Sequence, residues 1–208
     1  MGIIDISQPL GETTAVWPGD QPFQLRWSMR RDAGDSANVA ALTMSAHTGT
    51  HLDGFRHVND TGSDAGTMAL EPCLGPARVV DARGLDRLGP ALLDGIDPTA
   101  TPRILFRTRE AVDETRFPED VAWITPELAH RLVREGFLLV GTDAPSIDPL
   151  DSTTLEAHHV LGGGGVANLE NLVLTAVAPG DYILVALPLK LVGADSSPVR
   201  AVLLDGWP

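Results

Sequence analysis

The 21 glycines and 16 prolines of this 208-residue chain are spread along its whole length rather than gathered into a linker. Both residues punctuate regular structure, so every helix or strand between them has to be short and closed by a turn. The glycines at 162–165 form the one low-complexity tract; no repeat period appears, and no shift of composition marks a boundary. One domain over residues 1–208 is expected, a length with room for a real core.

Between the punctuation, short apolar runs rich in Val, Ile and Leu recur at residues 39–44, 77–81, 103–107, 137–140, 173–176, 182–187 and 199–204. Flanked by Gly, Pro or Asp, they read as buried strands. Helical signals are fewer. Thr125 is placed to cap a helix that Pro126 opens and Gly136 stops, with Leu128, Leu132 and Val133 on one face. A second candidate lies at residues 90–93. The remainder of 84–95 reads as loop, and 110–119 as a charged surface loop. The pattern predicts a β-rich α/β domain with two or three helices.

Charge narrows the partners. With 28 acidic against 15 basic residues, the formal net charge is -13, which repels nucleic-acid phosphates and anionic lipid. Hydrophobic residues make up 43% and charged residues 21%, the profile of a water-soluble globular protein. No apolar run approaches the roughly 18 to 20 residues of a spanning helix. The opening MGIIDISQPL lacks the basic and apolar regions of a secretory signal, and Ile6 stands where a myristoylation signal needs Ser or Thr. The lone cysteine, Cys73, has no partner for an internal disulfide, so a cytoplasmic location is expected, with Cys73 a packed residue.

Chemistry concentrates in the stretch Ser45-Ala46-His47-Thr48-Gly49-Thr50-His51-Leu52-Asp53-Gly54-Phe55-Arg56-His57. The spacing H-x3-H-x-D-x3-H fits neither regular structure. A helix would put His47 and His51 on one face but not Asp53 and His57, and Thr-Gly-Thr is a poor helical insert. A straight strand would hold His47 and His51 roughly 13 Å apart, too far to share an ion. A chain leaving a strand and curling at Gly49 and Gly54 can gather them. Imidazole and carboxylate without thiolate suit zinc or manganese, and two histidines with one carboxylate leave positions open for a water to be activated. Ordinary surface or core histidines are the alternative, weakened by the clustering of two rare ligand types.

A second group, Glu156-Ala157-His158-His159, precedes the glycine run and then Glu170. Alone, adjacent histidines before a flexible loop are more often solvated. Beside the first motif, a His and a Glu from here can complete the site or hold a second metal. The glycines are no phosphate loop, since no Gly-Lys-Ser/Thr follows.

These motifs, with Asp5-Ile6-Ser7, Trp17-Pro18-Gly19-Asp20, residues 141–149, Leu187-Pro188-Leu189-Lys190 and residues 197–202, give the chain a family likeness along nearly its whole length. It resembles the cyclase-like metal-dependent hydrolases and, within them, the bacterial kynurenine formamidase (arylformamidase) branch. The resemblance implies a domain of the swivelling β/β/α type, a cytoplasmic homodimer, and hydrolysis of N-formyl-L-kynurenine to L-kynurenine and formate in tryptophan catabolism. It implies two zinc ions per subunit, manganese being the other candidate. His47, His51 and Asp53 would bind one ion, and Asp53 would bridge to a second held by His158 and Glu170. His57 would be the general acid and base, and Trp17 would stack on the aryl ring of the substrate. His158 is preferred to His159 because it stands twelve residues before the glutamate.

Two departures bear on this. Phe55 replaces the proline usual between the aspartate and the last histidine, and Arg56 replaces a small or apolar residue; either can redirect His57. The glycine run replaces a more varied sequence. Both keep alive a relative acting on another amide, isatin-like or carbamate-like. A metal-binding module without turnover is the rival of another class, and His57 argues against it.

Overall fold

The computed structural model describes residues 2–206. Among them the strands are, in chain order, β1 (Ile3–Asp5), β2 (Gln24–Met29), β3 (Val39–Thr43), β4 (His51–Asp53), β5 (Leu74–Asp81), β6 (Arg87–Leu88), β7 (Arg103–Arg107), β8 (Trp123–Ile124), β9 (Leu139–Thr142), β10 (Ala167–Glu170), β11 (Gly180–Val185), β12 (Ser196–Pro198) and β13 (Val202–Leu204). The α-helices are α1 (Pro126–Glu135) and α2 (Glu156–Gly163), and residues 90–93 form a 3-10 turn. No strand exceeds eight residues, as the scattered glycines and prolines demand.

Nine strands build one mixed sheet in the order β1-β13-β11-β5-β7-β9-β10-β4-β12. Its centre, β5, β7, β9 and β10, is parallel. Antiparallel strands extend it on both sides. The pairs β2–β3 and β6–β8 form two separate small sheets. The fold is α/β.

Central strands buried on both faces explain their unbroken apolar runs. In β7, Leu105 joins a core with Leu52, Cys73, Leu139 and Leu169. Its neighbours Ile104 and Phe106 point the other way, into a core with Leu128 and Leu132 of α1 and Ala157 and Leu161 of α2. Burial pushes the Cys73 thiol up to about 11, as expected of a packed, inert cysteine. No helix among the described residues is long and apolar enough to cross a membrane.

Helix α1 follows its sequence signals: the Thr125 hydroxyl accepts from Leu128 N–H, Pro126 sits in the first turn, and Gly136 closes the helix at φ 82°. Residues 87–88, expected as loop, form the short strand β6, and two further expectations fail. Residues 173–176 are not a strand; Val173 N–H donates to the Ile6 carbonyl and Val177 N–H to that of Leu174, closing a turn. Leu174 is fully buried there, so the run is apolar because the core needs it and not because it pairs. The glycine run is not all loop either, since α2 extends through Gly162 and Gly163. At its end a Cβ on Gly164 would lie 2.3 Å from Val133 of α1, so the missing side chain lets the two helices approach.

Candidate metal centre and active site

Strand register builds the floor of the site. In the antiparallel pair β4–β10, His51 stands opposite Glu170 and Asp53 opposite Asn168. Strand side chains alternate, so His51 and Asp53 share one face with Glu170 and Asn168 while Leu52 turns into the core. Gly49, at φ 64°, bends the chain ahead of β4 and brings His47 back over it. The bend therefore precedes a strand rather than following one, and Gly54 has an ordinary φ of -74°. The rings of His47 and His51 end with centroids 4.9 Å apart.

Beyond Gly54, the 3-10 turn Phe55–His57 carries His57 to the same place, 4.6 Å from the His47 ring and 5.6 Å from that of His158. Phe55 and Arg56 leave His57 facing the cluster. From the other side α2 supplies His158, 6% exposed, while His159 is exposed. His158 Nε2 lies 3.5 Å from Asp53 Oδ2 and 3.3 Å from Glu170 Oε1. His51 Nε2 lies 3.5 Å from Asp53 Oδ1 and 3.3 Å from Glu170 Oε2.

Outer groups fix the tautomers. His51 Nδ1 donates to the Gly49 carbonyl at 2.8 Å, and His158 Nδ1 donates to Asp148 at 2.6 Å. Each Nε2 is thereby turned to the centre as a lone pair in the neutral ring, the usual preparation of a metal-ligating histidine. Asp148 also accepts the N–H groups of Ala157 and His158, replacing a side-chain cap at the start of α2, where Leu155 adopts a left-handed φ of 45°. Asn171, at φ 56°, is the second non-glycine residue in that region among those described, and both line the site cavity. Such strain persists where surrounding structure overdetermines it.

His51 Nε2 and Asp53 Oδ1 are buried without a hydrogen-bond partner among the described residues. Orphaned buried polar atoms are costly, and two of them facing each other in a cluster of imidazoles and carboxylates fit a divalent cation. Asp53 belongs to two groups of possible ligands, with His47 and His51 and with His57 and His158, as a bridging carboxylate would. The field is strongly negative. Burial opposes a charge on His47, yet the nearby Asp53 carboxylate and the Asp195 carboxylate, 3.0 Å from its Nε2, raise its pKa to about 9. Burial likewise opposes a charge on His158, but Asp148, Asp53 and Glu170 hold it well above the usual range. Burial and the Asp53 charge disfavour ionised Glu170, and the His158 and His51 rings facing it still bring it down to about 2. What binds protons this tightly also attracts a cation.

The centre opens into a cavity of about 470 Å³. Trp17 forms one wall, 39% exposed and packed edge-on against Phe117 at 5.2 Å. The 110–119 loop, which reads in sequence as charged surface, supplies Asp113, Glu114, Arg116, Phe117 and Pro118 to that wall. All the anticipated residues thus meet: His47, His51, Asp53, His57, His158 and Glu170 at the centre, Trp17 above it.

Three participants escape sequence reasoning. Asp195 lies 3.0 Å from His47 Nε2 and 3.5 Å from His57 Nδ1. Asn168 Nδ2 donates to Asp53 and Glu170 at 3.1 and 2.8 Å. Asp148 holds His158. A faint signal exists for Asn168, two residues before Glu170 and so on its face of a strand, and for Asp148 within the conspicuous 141–149 segment. Asp195 has none beyond closeness to residues 197–202.

Residues 4–149 match the family model described as "Putative cyclase". The chain is 48% identical to a kynurenine formamidase of Salinibacter ruber, with 99% of this chain and 98% of that one covered. Identity to a kynurenine formamidase of Bacillus cereus is 44%, over 96% of each chain. Among solved structures, one described as a potential metal-dependent hydrolase with cyclase activity superposes with a TM-score of 0.84 at 27% identity, covering 100% of this chain and 99% of that one.

Proposed function

The chain belongs to the Cyclase family, and from that premise we propose that it is an arylformamidase, a metal-dependent hydrolase converting N-formyl-L-kynurenine to L-kynurenine and formate. The observation that carries the chemistry is the pair of orphaned, buried ligand atoms, His51 Nε2 and Asp53 Oδ1, facing each other on the floor of an aromatic-walled cavity. Full-length identity of 48% and 44% to relatives of that name carries the substrate.

In this reading His47, His51 and Asp53 hold one zinc or manganese ion, and Asp53, His158 and Glu170 a second. Bound there, divalent ions polarise a carbonyl oxygen and lower the pKa of water toward neutrality. The chain's own groups do the rest. Trp17 and Phe117 take the aryl ring and exclude water from it. Asp195, 3.5 Å from His57 Nδ1, orients the ring that exchanges protons with the substrate. His57 takes a proton from the water that adds to the formyl carbon and, as the carbon–nitrogen bond breaks, delivers it to the departing aniline nitrogen. Asn168, donating to Asp53 and Glu170, fixes both carboxylates.

The same reading makes residues 1–208 one catalytic domain, working as a homodimer in the cytoplasm; light scattering checks the dimer. Two measurements test the activity: metal content of protein purified without chelator, and formate release from N-formylkynurenine compared with isatin. Stoichiometric metal with preferential release from the formamide is the expected result. Release no faster than in a chelated control removes the proposal.

A further inference from the structure

Arg109 follows β7 by two residues and reaches the cavity from a fixed root. Its backbone N–H donates to Asp143 Oδ2 at 3.1 Å, and Thr108 N–H donates to both oxygens of the same carboxylate, at 3.1 and 3.0 Å. Asp143 is fully buried directly after β9, so the start of the 108–119 loop is clamped to the carboxyl ends of the parallel strands. That edge is where ligands of open parallel sheets sit.

Beyond this root the guanidinium feels the charge of Asp143 without pairing with it. It is half-buried and lines the cavity, yet its side chain makes no hydrogen bond or ion pair among the described residues. Arg116, the other arginine of the cavity, pairs with Glu119. The nearby Asp143 charge already accepts from two backbone amides and the Thr108 hydroxyl. Of the carboxylates lining the cavity, Asp20 accepts from Ser45 and Asp113 from Thr115. In a chain of net charge -13, one open cation on the wall of the reaction cavity is a selective feature. A guanidinium offers five donors in a planar fork matched to a carboxylate, and its partial burial raises the value of such a partner.

We propose that Arg109 is a specificity residue that pairs with the α-carboxylate of an amino-acid-bearing aryl formamide. This rests on the formamidase reading, which places the formyl group at His57 and the ring at Trp17. The carboxylate is then the remaining anionic end of the substrate, and Arg109 the open cation of the same cavity. Aryl formamides without the amino-acid end would forgo this contact.

The experiment compares two substrates on metal-loaded protein: N-formyl-L-kynurenine, and 2′-formamidoacetophenone, which keeps the formanilide and ketone but lacks the amino acid. In Arg109→Gln, kcat/KM for N-formylkynurenine is expected to fall tenfold or more, chiefly through KM. The ratio of its kcat/KM to that of the neutral analogue should fall by a similar factor. Arg109→Lys should recover part of the ratio, keeping the charge while losing the fork. A ratio unchanged in Arg109→Gln, or a lysine variant no better than glutamine, overturns the assignment while the formamidase reading stands. A wild-type protein that releases formate from neither substrate overturns that reading, and the role of Arg109 with it. A thermal melt of each variant separates a lost contact from a lost fold.

Discussion

The floor of the cavity and its rim are built on different physical terms. The floor is two strands and a helix, with its polar side chains held from behind: His51 by the Gly49 carbonyl, His158 by Asp148, Asp53 and Glu170 by Asn168. Its residues are buried and its register is set by the sheet. The rim is loop, with Trp17 and Phe117 touching edge to edge and Arg109 fixed at its backbone but open at its tip. Positions held by packing and hydrogen bonds suit chemistry that tolerates no displacement, whereas a loop wall can be re-cut for a different substrate without disturbing the centre. In the proposed reading the floor therefore carries the reaction class, and the rim its specificity.

That division can be broken at its strongest point first. His57→Ala should lower kcat by roughly 10²–10⁴, the range for losing general acid–base help, with metal content unchanged; a turnover near wild type would hand proton transfer to another group. Asp148→Asn should weaken metal binding about 10–100-fold, as removal of an orienting partner does, and equilibrium dialysis reads it. An unchanged affinity would mean that the helix alone positions His158.

The metal-free centre should also show itself in a pH series. Asp53 and Asp195 raise His47 to about 9 in the folded protein, against an ordinary value of 6.5. The stabilisation from its proton is complete below about pH 6.5 and is lost as pH rises through about 9. Chelated protein should therefore melt at falling temperature across that window. Metal-loaded protein should not, because a ligated imidazole has no proton there to lose. Coincident curves would disconnect His47 from the centre.

Changes at the rim and beyond should be smaller. Trp17→Ala should raise KM about tenfold or less, the equivalent of losing roughly 0.5–1.5 kcal/mol of ring contact, and leave kcat close to wild type. A kcat effect as large as that of His57→Ala would erase the distinction between floor and rim. Thr125→Ala removes the cap of α1, away from the cavity, and should cost about 1 kcal/mol in a denaturant titration with no change in rate.

The sequence made the centre more legible than the fold around it. His47, His51, Asp53 and His57 stand out because two uncommon residue types crowd eleven positions. The short strands were readable where apolar runs cross the parallel centre, as at β7, and the helix α1 where cap, proline and glycine agree. The outer strands β1 and β12 of the main sheet and the site-bearing β4 and β10 were not. The β4 segment His-Leu-Asp has no apolar alternation, because two of its three side chains serve the site instead of the core. Residues 173–176 misled for the opposite reason, being apolar for burial alone. Asp195 was invisible among 28 acidic residues, since what distinguishes it is His47, far away in the chain. The 110–119 loop looked like surface because its charges outnumber Phe117, the residue that meets Trp17.

The β4–β10 register has a meaning for folding fidelity as well. A slip of one residue would turn Leu52 toward the cavity and drive His51 and Asp53 into the core beside Leu139 and Leu169. Two ionisable groups stranded in that apolar layer would cost far more than a misplaced leucine. The residues that serve chemistry thus also act as a registration key, penalising the nearest wrong pairing of a three-residue strand too short to enforce its own alignment.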